Sequence, residues 1–384
     1  MDQSFIAEIS RSSLQAPEGS ETSSIREVKH LASYNWIEAP QETPTIAVPG
    51  SPNLWTPPNG PTALRKDNGW VYINQNAARH PDSPLEPLFR ALYFQIPTFD
   101  ITGVDIVTDR NNIRKLLGFI NPRHYGSKRE SFTIYVEVVK NTAIFSREEP
   151  RNEEYIQPHQ FAGYGHSFEE HYTTRQVDGS TGHHRIISYR FGNLNMMVRH
   201  ETDGYINTNT NNNNTNMTRH HQQPTSTTTI SLLPPSINPN PTTTTLQILP
   251  TTTSPHSPPS LPSTLELKTR ASHRHLPFPT IAAQLWISQT PNLVRAYHTY
   301  GMFPTPSVEN VTARVKEWEE DNQDDLGRLE GLLAEVRSVV KEEGDGRAIV
   351  WYDGRSECLE VWGVARGEGR MLPGDLYARW QQVD

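Results

Sequence analysis

From residue 206 to about residue 263 the chain is built almost entirely of Asn, Thr, Pro and Ser. A segment of this composition buries too little apolar surface to offset the entropy of ordering its backbone. It is expected to be a disordered insertion, so everything that packs must come from the chain on either side. The insertion need not divide the protein into two bodies. Loop-closure entropy grows only with the logarithm of loop length, so two strands can pair across a long loop at little extra cost. Residues 31–205 and 264–384 are therefore expected to be two parts of one domain, preceded by a flexible tail over residues 1–30. An unspliced intron read in frame is an alternative origin for so unusual a segment.

Composition narrows the class. Hydrophobic residues make up 34% of the 384, low for a fully folded chain of this length and in keeping with a disordered part. A lone cysteine, Cys358, excludes an intramolecular disulfide framework and a cysteine zinc site, and favours a reducing compartment. The formal net charge of -8 argues against a general nucleic-acid binder but leaves room for a local basic channel. No apolar run is long enough to span a bilayer, and residues 1–24 have neither the apolar core of a signal peptide nor an arginine-rich transit pattern. The expected location is the nucleus, the cytoplasm or both.

The local patterns mix strands and helices. Residues 34–57 carry Trp36 and Trp55 between prolines and are expected to be extended chain with little regular structure. A short helix is expected over 84–94. Ile106-Val107-Thr108 reads as a strand running into a helix near Asn111. Two β-rich runs, 132–139 and 142–145, flank Lys140-Asn141 as a hairpin. Two more strands flank Gly192-Asn193 within 186–205. Strands are expected at 265–269 and 284–297. A helix follows through Val308, Val311, Val315 and Trp318, and a second has the stripe Leu326, Leu329, Leu333, Val336, Val340. A hairpin around Trp351 and Val361 and a segment 376–380 close the chain.

Two short phrases carry chemistry. Glu201-Thr202-Asp203 is E-x-D and Glu266-Leu267-Lys268 is E-x-K. On a strand, residues i and i+2 share a face, so two paired strands would bring all four charges into one pocket. Acidic, acidic, basic is the order of a metal-dependent phosphodiesterase: carboxylates hold a divalent cation and a lysine meets the phosphate. Either phrase alone also occurs on ordinary surface strands. Other charged clusters have plainer explanations. His166-Ser167-Phe168-Glu169-Glu170-His171 is one residue too long for the H-x-x-E-H zinc motif, and an i to i+5 spacing puts its histidines on different helix faces. His183-His184 and His220-His221 sit in polar contexts and are expected to be solvated. Gly163, Gly165 and Gly182 form no nucleotide-binding pattern.

The order of the surrounding phrases is distinctive. Thr108-Asp109-Arg110 precedes Gly165-His166-Ser167-Phe168-Glu169. Phe191-Gly192-Asn193-Leu194 then leads to E-x-D, followed by Glu266-Leu267-Lys268-Thr269 and Gln284-Leu285-Trp286-Ile287. From about residue 100 to about 303, omitting the insertion, this series resembles the decapping exoribonuclease (DXO-like) family, which includes the fungal protein that accompanies the nuclear 5′-to-3′ exoribonuclease. The Pro49-Gly50-Ser51-Pro52 phrase also resembles a fungal subfamily often labelled geranylgeranyl pyrophosphate synthetase. Prenyl synthases are all-helical and use two D-D-x-x-D motifs. Here only Glu320-Asp321-Asn322-Gln323-Asp324 is similar, once, in a chain rich in β patterns.

The resemblance implies a role for each matching position. Arg110 would contact the RNA 5′ end or its phosphates. Glu169, Asp203 and Glu266 would be metal ligands, and Glu201 would ligate metal or orient the attacking water. Lys268 and Gln284 would lie at the nucleophile and the scissile phosphate. The implied cofactor is Mg²⁺ or Mn²⁺, as two ions, which suits a carboxylate donor set. The implied fold is one α/β (α+β) domain: two mixed, mostly antiparallel sheets meeting at a cleft, helices outside, with a nuclease core similar to the PD-(D/E)xK type. The implied reactions are removal of incomplete or NAD caps, pyrophosphate release from 5′-triphosphate ends and 5′-to-3′ trimming. The implied partners are an RNA 5′ end and a nuclear 5′-to-3′ exoribonuclease. Three positions depart from the family pattern. Thr202 and His166 stand where apolar residues are usual, and Ala296-Tyr297-His298 replaces a basic Gly-Φ-Arg phrase. A catalytically degenerate member that binds RNA ends or a partner nuclease is the alternative. Against it, like charges kept close together repel unless a cation neutralises them.

Overall fold

The computed structural model describes residues 4–17, 19, 22–125, 129–161, 163–207, 245–251, 259–365 and 368–381. Its spine is an eleven-stranded sheet. At the centre, the hairpin strands Phe132–Val139 and Thr142–Glu148 turn at Lys140, whose φ is 54°. On one side follow Arg347–Tyr352, Cys358–Gly363 and the edge strand Phe5–Ser10, all antiparallel. On the other side Ile106–Asp109 pairs in parallel with both Thr142–Glu148 and Leu194–Glu201. Antiparallel strands Ser180–Phe191, Ile25–Ile37 and Thr45–Val48 come next, and Gln247–Pro250 closes the edge in parallel.

The interior strands of this sheet are covered on both faces. Ile106, Met196, Val198 and Ile187 join a core with the helices Arg110–Ile120, Pro279–Ser288 and Gln323–Glu342. Val107, Met197 and Ile186, pointing the other way, join a second core with helix Glu86–Gln95 and the C-terminal Leu376, Tyr377 and Trp380. Burial on both faces explains the unbroken apolar stretches within these strands, Ile186-Ile187 and Met196-Met197-Val198, where alternation would be expected of a one-sided sheet. A six-stranded sheet stands beside this body, in the order Thr173–Thr174, Leu54–Trp55, Gly204–Tyr205, Thr264–Ala271, Asn292–His298, Glu309–Asn310. Its two long strands, Thr264–Ala271 and Asn292–His298, run parallel and are joined through helix Pro279–Ser288. The expected class therefore holds: a mixed α+β domain with two large sheets, beside two two-stranded ribbons among the described residues, and helices outside.

Several expectations fail locally, each for a physical reason. The described residues among 1–30 do not form a flexible tail. Phe5–Ser10 pairs with Cys358–Gly363, and Arg11 is buried with Nε on the Phe119 carbonyl at 2.5 Å and Nη1 on Glu357 at 2.6 Å. Backbone pairing to a sheet edge leaves little trace in side-chain pattern. Residues 34–57 are not irregular either: Ile25–Ile37 and Thr45–Val48 fit between the prolines. The strand expected over 284–297 is a helix, Pro279–Ser288, followed by strand Asn292–His298. Ile281 to Ile287 is buried all round, and a run that is apolar but for Gln284 does not distinguish helix from strand by periodicity. Pro279 at the start and a left-handed Gln289 (φ 51°) at the end mark that helix. His183 and His184 are buried strand residues, not solvated loop residues. Most of the insertion expected over 206–263, with His220 and His221, lies outside the described residues. Within that range Gln247–Pro250 is an edge strand against Thr45–Val48.

Candidate active site

The chain leaves the large sheet at Glu201, the last residue of strand Leu194–Glu201, and enters the small one at Gly204, which pairs with Leu265. The E-x-D phrase is thus the crossing between the two sheets, not a stretch of one strand. That crossing sets Asp203 beside the E-x-K strand, where its Oδ2 accepts the Leu267 N–H at 2.7 Å. Strand Thr264–Ala271 contributes Glu266 and Lys268 together, with Lys268 Nζ 2.5 Å from Glu266 Oε1. Helix Pro279–Ser288 contributes Gln284, whose Nε2 donates to the same oxygen at 2.5 Å. Arg110, at the start of the helix after strand Ile106–Asp109, donates Nη1 to Glu266 Oε2 at 3.3 Å. Glu169 comes from helix Gly165–Tyr172, which seats Phe168 and Tyr172 against Leu265 and Leu267. The Asp67 carboxylate anchors the start of that helix, accepting the backbone N–H groups of His166 (3.3 Å) and Ser167 (2.9 Å).

All seven residues expected from the sequence therefore gather in one cleft. Their electrostatics follow from crowding. Glu266 is buried, and burial alone would raise its proton affinity. Lys268 and Arg110 outweigh burial and hold it below the usual carboxylate range. Asp203 is pushed up to about 7, first by burial and then by the charge of Glu266, against the pull of Lys268. Glu169 is pushed well above its ordinary value by burial and by Asp203 and Glu201. Glu201 moves the same way through desolvation and Glu266, with Arg110 opposing. Glu169 and Asp203 are only half-buried and Glu201 is exposed. Solvent in the open cleft tempers all three rises, that of Glu201 most. Lys268 stays cationic: burial works against its charge, but Glu266 and Asp203 raise its affinity for the proton.

The donor chemistry suits a hard divalent cation, which takes carboxylate oxygens. Among the described residues, however, no three Asp, Glu, His or Cys side chains are disposed to hold an ion as they stand. Glu266 directs its oxygens to Lys268, Gln284 and Arg110, and Asp203 faces a backbone amide. The residues fit a metal by donor type and proximity, with Lys268 and Arg110 supplying the neutralising charge in this state.

Three cavities open from the carboxylates. One of about 420 Å³ is lined by Glu169, Glu201 and Asp203. One of about 210 Å³ is lined by Glu201, Arg110, Arg114 and Arg147. The largest, about 940 Å³, reaches Glu169 at one end. The cleft floor includes a buried ion pair that lies outside the sequence motifs. Arg199 grips Asp109 with Nε and Nη2 at 2.6 and 2.8 Å, joining the parallel strands just before Arg110 and Glu201 emerge. A charge inside each of two apolar strands was the available signal, since a buried charge needs a partner. His298, at the position of the missing basic phrase, is packed between Tyr164 (4.5 Å between ring centroids) and Phe303 (5.0 Å). Arg295 on the same strand is taken by Glu309.

A family model described as a domain of unknown function (DUF8563) matches residues 5–378. No curated protein matches the sequence. Among solved structures the chain is similar to S. pombe Rai1, at 12% identity and a TM-score of 0.56, over 94% of this chain and 99% of that one. It is similar to Candida albicans Rai1 in complex with pU5-Mn²⁺, at 11% identity and a TM-score of 0.56, over 96% and 97%. It is also similar to K. lactis Dxo1 in complex with manganese, at 8% identity and a TM-score of 0.51, over 95% and 99%. The chain has the fold of these proteins along nearly its whole length.

Proposed function

This chain belongs to the family of unknown function (DUF8563) whose model spans it, and from that premise we propose that it is a divalent-metal-dependent hydrolase of RNA 5′ ends. The observation that carries the proposal is the gathering of Glu169, Glu201, Asp203 and Glu266 with Lys268, Gln284 and Arg110 at the crossing between two sheets. The ligands of the fold neighbours support it: pU5 with Mn²⁺ in the C. albicans protein and 3′-FADP in the S. pombe protein.

Glu169, Glu201, Asp203 and Glu266 would hold one or two Mg²⁺ or Mn²⁺ ions. What such ions supply when bound is Lewis acidity toward phosphoryl oxygens and a water nucleophile active at neutral pH. The protein supplies the rest. Arg110 presents a planar fork of donors, suited to a phosphate at the 5′ end. Lys268 neutralises charge that builds on the phosphoryl oxygens as water attacks phosphorus and the leaving oxygen departs. Glu201, open to the cleft, orients the attacking water and receives its proton. Gln284 holds Glu266 in place through its amide. Removal of incomplete or NAD caps, pyrophosphate release from 5′-triphosphate ends and 5′-to-3′ trimming are all this reaction with different leaving groups.

A second reading, a binder of RNA ends without turnover, is favoured by one observation: the oxygens of Glu266 already face Lys268, Gln284 and Arg110. An end-release assay separates the two. Purified protein is incubated with 5′-triphosphate RNA and NAD-capped RNA, with Mn²⁺ or with EDTA, beside a Glu266→Ala/Lys268→Ala variant. Metal-dependent release that the variant loses is the expected result. RNA binding by a folded protein without release from either substrate would establish the binder instead.

A further inference from the structure

Among the described residues, two of the large apolar side chains left in solvent, Phe161 and Tyr300, line the 940 Å³ cavity, and two more, Trp70 and Tyr155, lie on a ribbon that begins two residues after Asp67 of the same lining. Trp70 and Tyr155 face each other across a two-stranded ribbon, Gly69–Tyr72 with Glu153–Ile156, with ring centroids 5.3 Å apart and exposures of 65% and 44%. Phe161 is exposed too, with Lys66 Nζ 5.5 Å from its ring centre. Tyr300 stands almost wholly in solvent, at 97%.

Tyr300 carries the strongest sign of purpose. Thr299 and Met302 exchange both backbone hydrogen bonds, and between them Tyr300 and Gly301 have φ of 51° and 85°. A two-residue hairpin turn with positive φ at both positions normally takes Asn-Gly. A tyrosine there holds a strained backbone with no packing in return, since its ring touches solvent. Strain retained without a local structural benefit points to function.

Backbone hydrogen bonds join these segments. The Leu64 N–H donates to the Gly301 carbonyl (2.9 Å), and the Asp67 N–H donates to the Gly163 carbonyl (3.0 Å). Asp67 in turn anchors the helix that carries Glu169. Exposed Arg270 and Arg274 line the same cavity, whose inner end is Glu169. Flat rings and cations lining a cavity that reaches a carboxylate site match an unpaired nucleic acid: every base has a face to stack, and the backbone is anionic.

We propose that these rings form a stacking track for the bases of single-stranded RNA, downstream of the 5′ end held in the cleft. Tyr300 and Phe161 take the nearer bases, and the Trp70–Tyr155 ribbon takes bases beyond them. The inference rests on the RNA 5′-end reading of the cleft. It adds a second contact that only a chain longer than a few nucleotides can reach.

The test is binding of 5′-monophosphate oligouridylates of about three and about twelve nucleotides, labelled at the 3′ end, followed by fluorescence anisotropy with Ca²⁺ as the metal. Trp70→Ala/Tyr300→Ala should weaken the long oligonucleotide about tenfold or more, the loss of a stacked base, and leave the short one unchanged. Trp70→Phe, which keeps a ring, should hold most of the affinity. Tyr300→Asn guards against a folding artefact. It suits the turn, so it should melt no lower than the wild type and still lose affinity for the long RNA. Unchanged long-RNA affinity in the double variant, with the wild type still discriminating by length, would overturn the track and leave the cleft reading intact. Competition by heparin as effective as by RNA would show charge without stacking and would also overturn it. Failure of the wild type to bind either length would overturn both.

Discussion

Asp109 and Arg199 lie beneath the site with almost no exposure, in a two-point ion pair. Burial pushes the Asp109 carboxyl up, but Arg199 and then Arg147 outweigh it and hold it below its ordinary range. Asp109→Ala leaves a guanidinium buried without its partner, which costs about 3–5 kcal/mol. Urea unfolding should show a loss of that size, and Asp109→Ala/Arg199→Met should recover much of it. A single-variant loss below about 1 kcal/mol would show that the pair contributes little. His184 makes a prediction of different kind. It stacks on Tyr34 at 5.0 Å and pairs through Nε2 with Gln75, and burial followed by Arg199 lowers it from 6.5 to about 3. The unfolded chain takes this proton first as the pH falls. Stability from this group is complete above pH 6.5 and declines from there toward about 3. Between pH 6.5 and about pH 5 one such group contributes about 2 kcal/mol of decline. Denaturant titrations at the two pH values should show a smaller drop in His184→Gln by that amount. These are buried charges and imidazoles that the sequence presents as ordinary polar residues, because burial is not written in the side chain.

At the scale of elements, the long helix Gln323–Glu342 was legible and its surroundings were not. Leu326, Leu329, Leu333, Val336 and Val340 recur at helical spacing, and all are fully buried. Asp324 and Asp325 in its first turn and Lys341 in its last complement its dipole. Gly331, on the same helix, has a different reason to be there. A Cβ at that position would lie 2.1 Å from the Gln15 carbonyl oxygen. The N-terminal segment expected to be a free tail is laid directly on this glycine. Two effects compete in Gly331→Ala. Helix propensity favours alanine by about 1 kcal/mol, whereas overpacking against backbone costs about 1–3 kcal/mol. Because the obstacle is backbone and not a flexible side chain, we expect net destabilisation in denaturant unfolding. A more stable variant would mean that the N-terminal segment is held loosely. The turn Gly192-Asn193 was legible as a turn. Its buried acceptor was not: Glu330 takes the Asn193 N–H at 2.8 Å and the Ser23 hydroxyl at 2.7 Å from more than a hundred residues away.

For the molecule as a whole, the site joins the two sheets. Carboxylates from the crossing, the small sheet and a helix surround one space, and Glu169 and Asp203 repel each other there. An ion that binds the folded protein and not the unfolded chain stabilises it by mass action, about 2.7 kcal/mol at a hundredfold excess over its dissociation constant. Melting should therefore rise with added Mn²⁺, return to baseline with EDTA and respond less in Asp203→Asn. No rise at millimolar Mn²⁺ would contradict the metal site. By itself the sequence determined which residues to expect at the site: the E-x-D and E-x-K spacing pointed to Glu201, Asp203, Glu266 and Lys268, and the order of the surrounding phrases, through the family resemblance, added Arg110, Glu169 and Gln284. It also determined the hairpins and amphipathic helices, whose periodicity is local. Only the tertiary structure decided that E-x-D is a crossing between sheets, that Gln284 comes from a helix, that Phe5–Ser10 is a strand of the large sheet, and that Tyr300 stands almost wholly in solvent. These depend on which distant segment lies opposite, and backbone pairing, burial and strain arise only once that neighbour is in place.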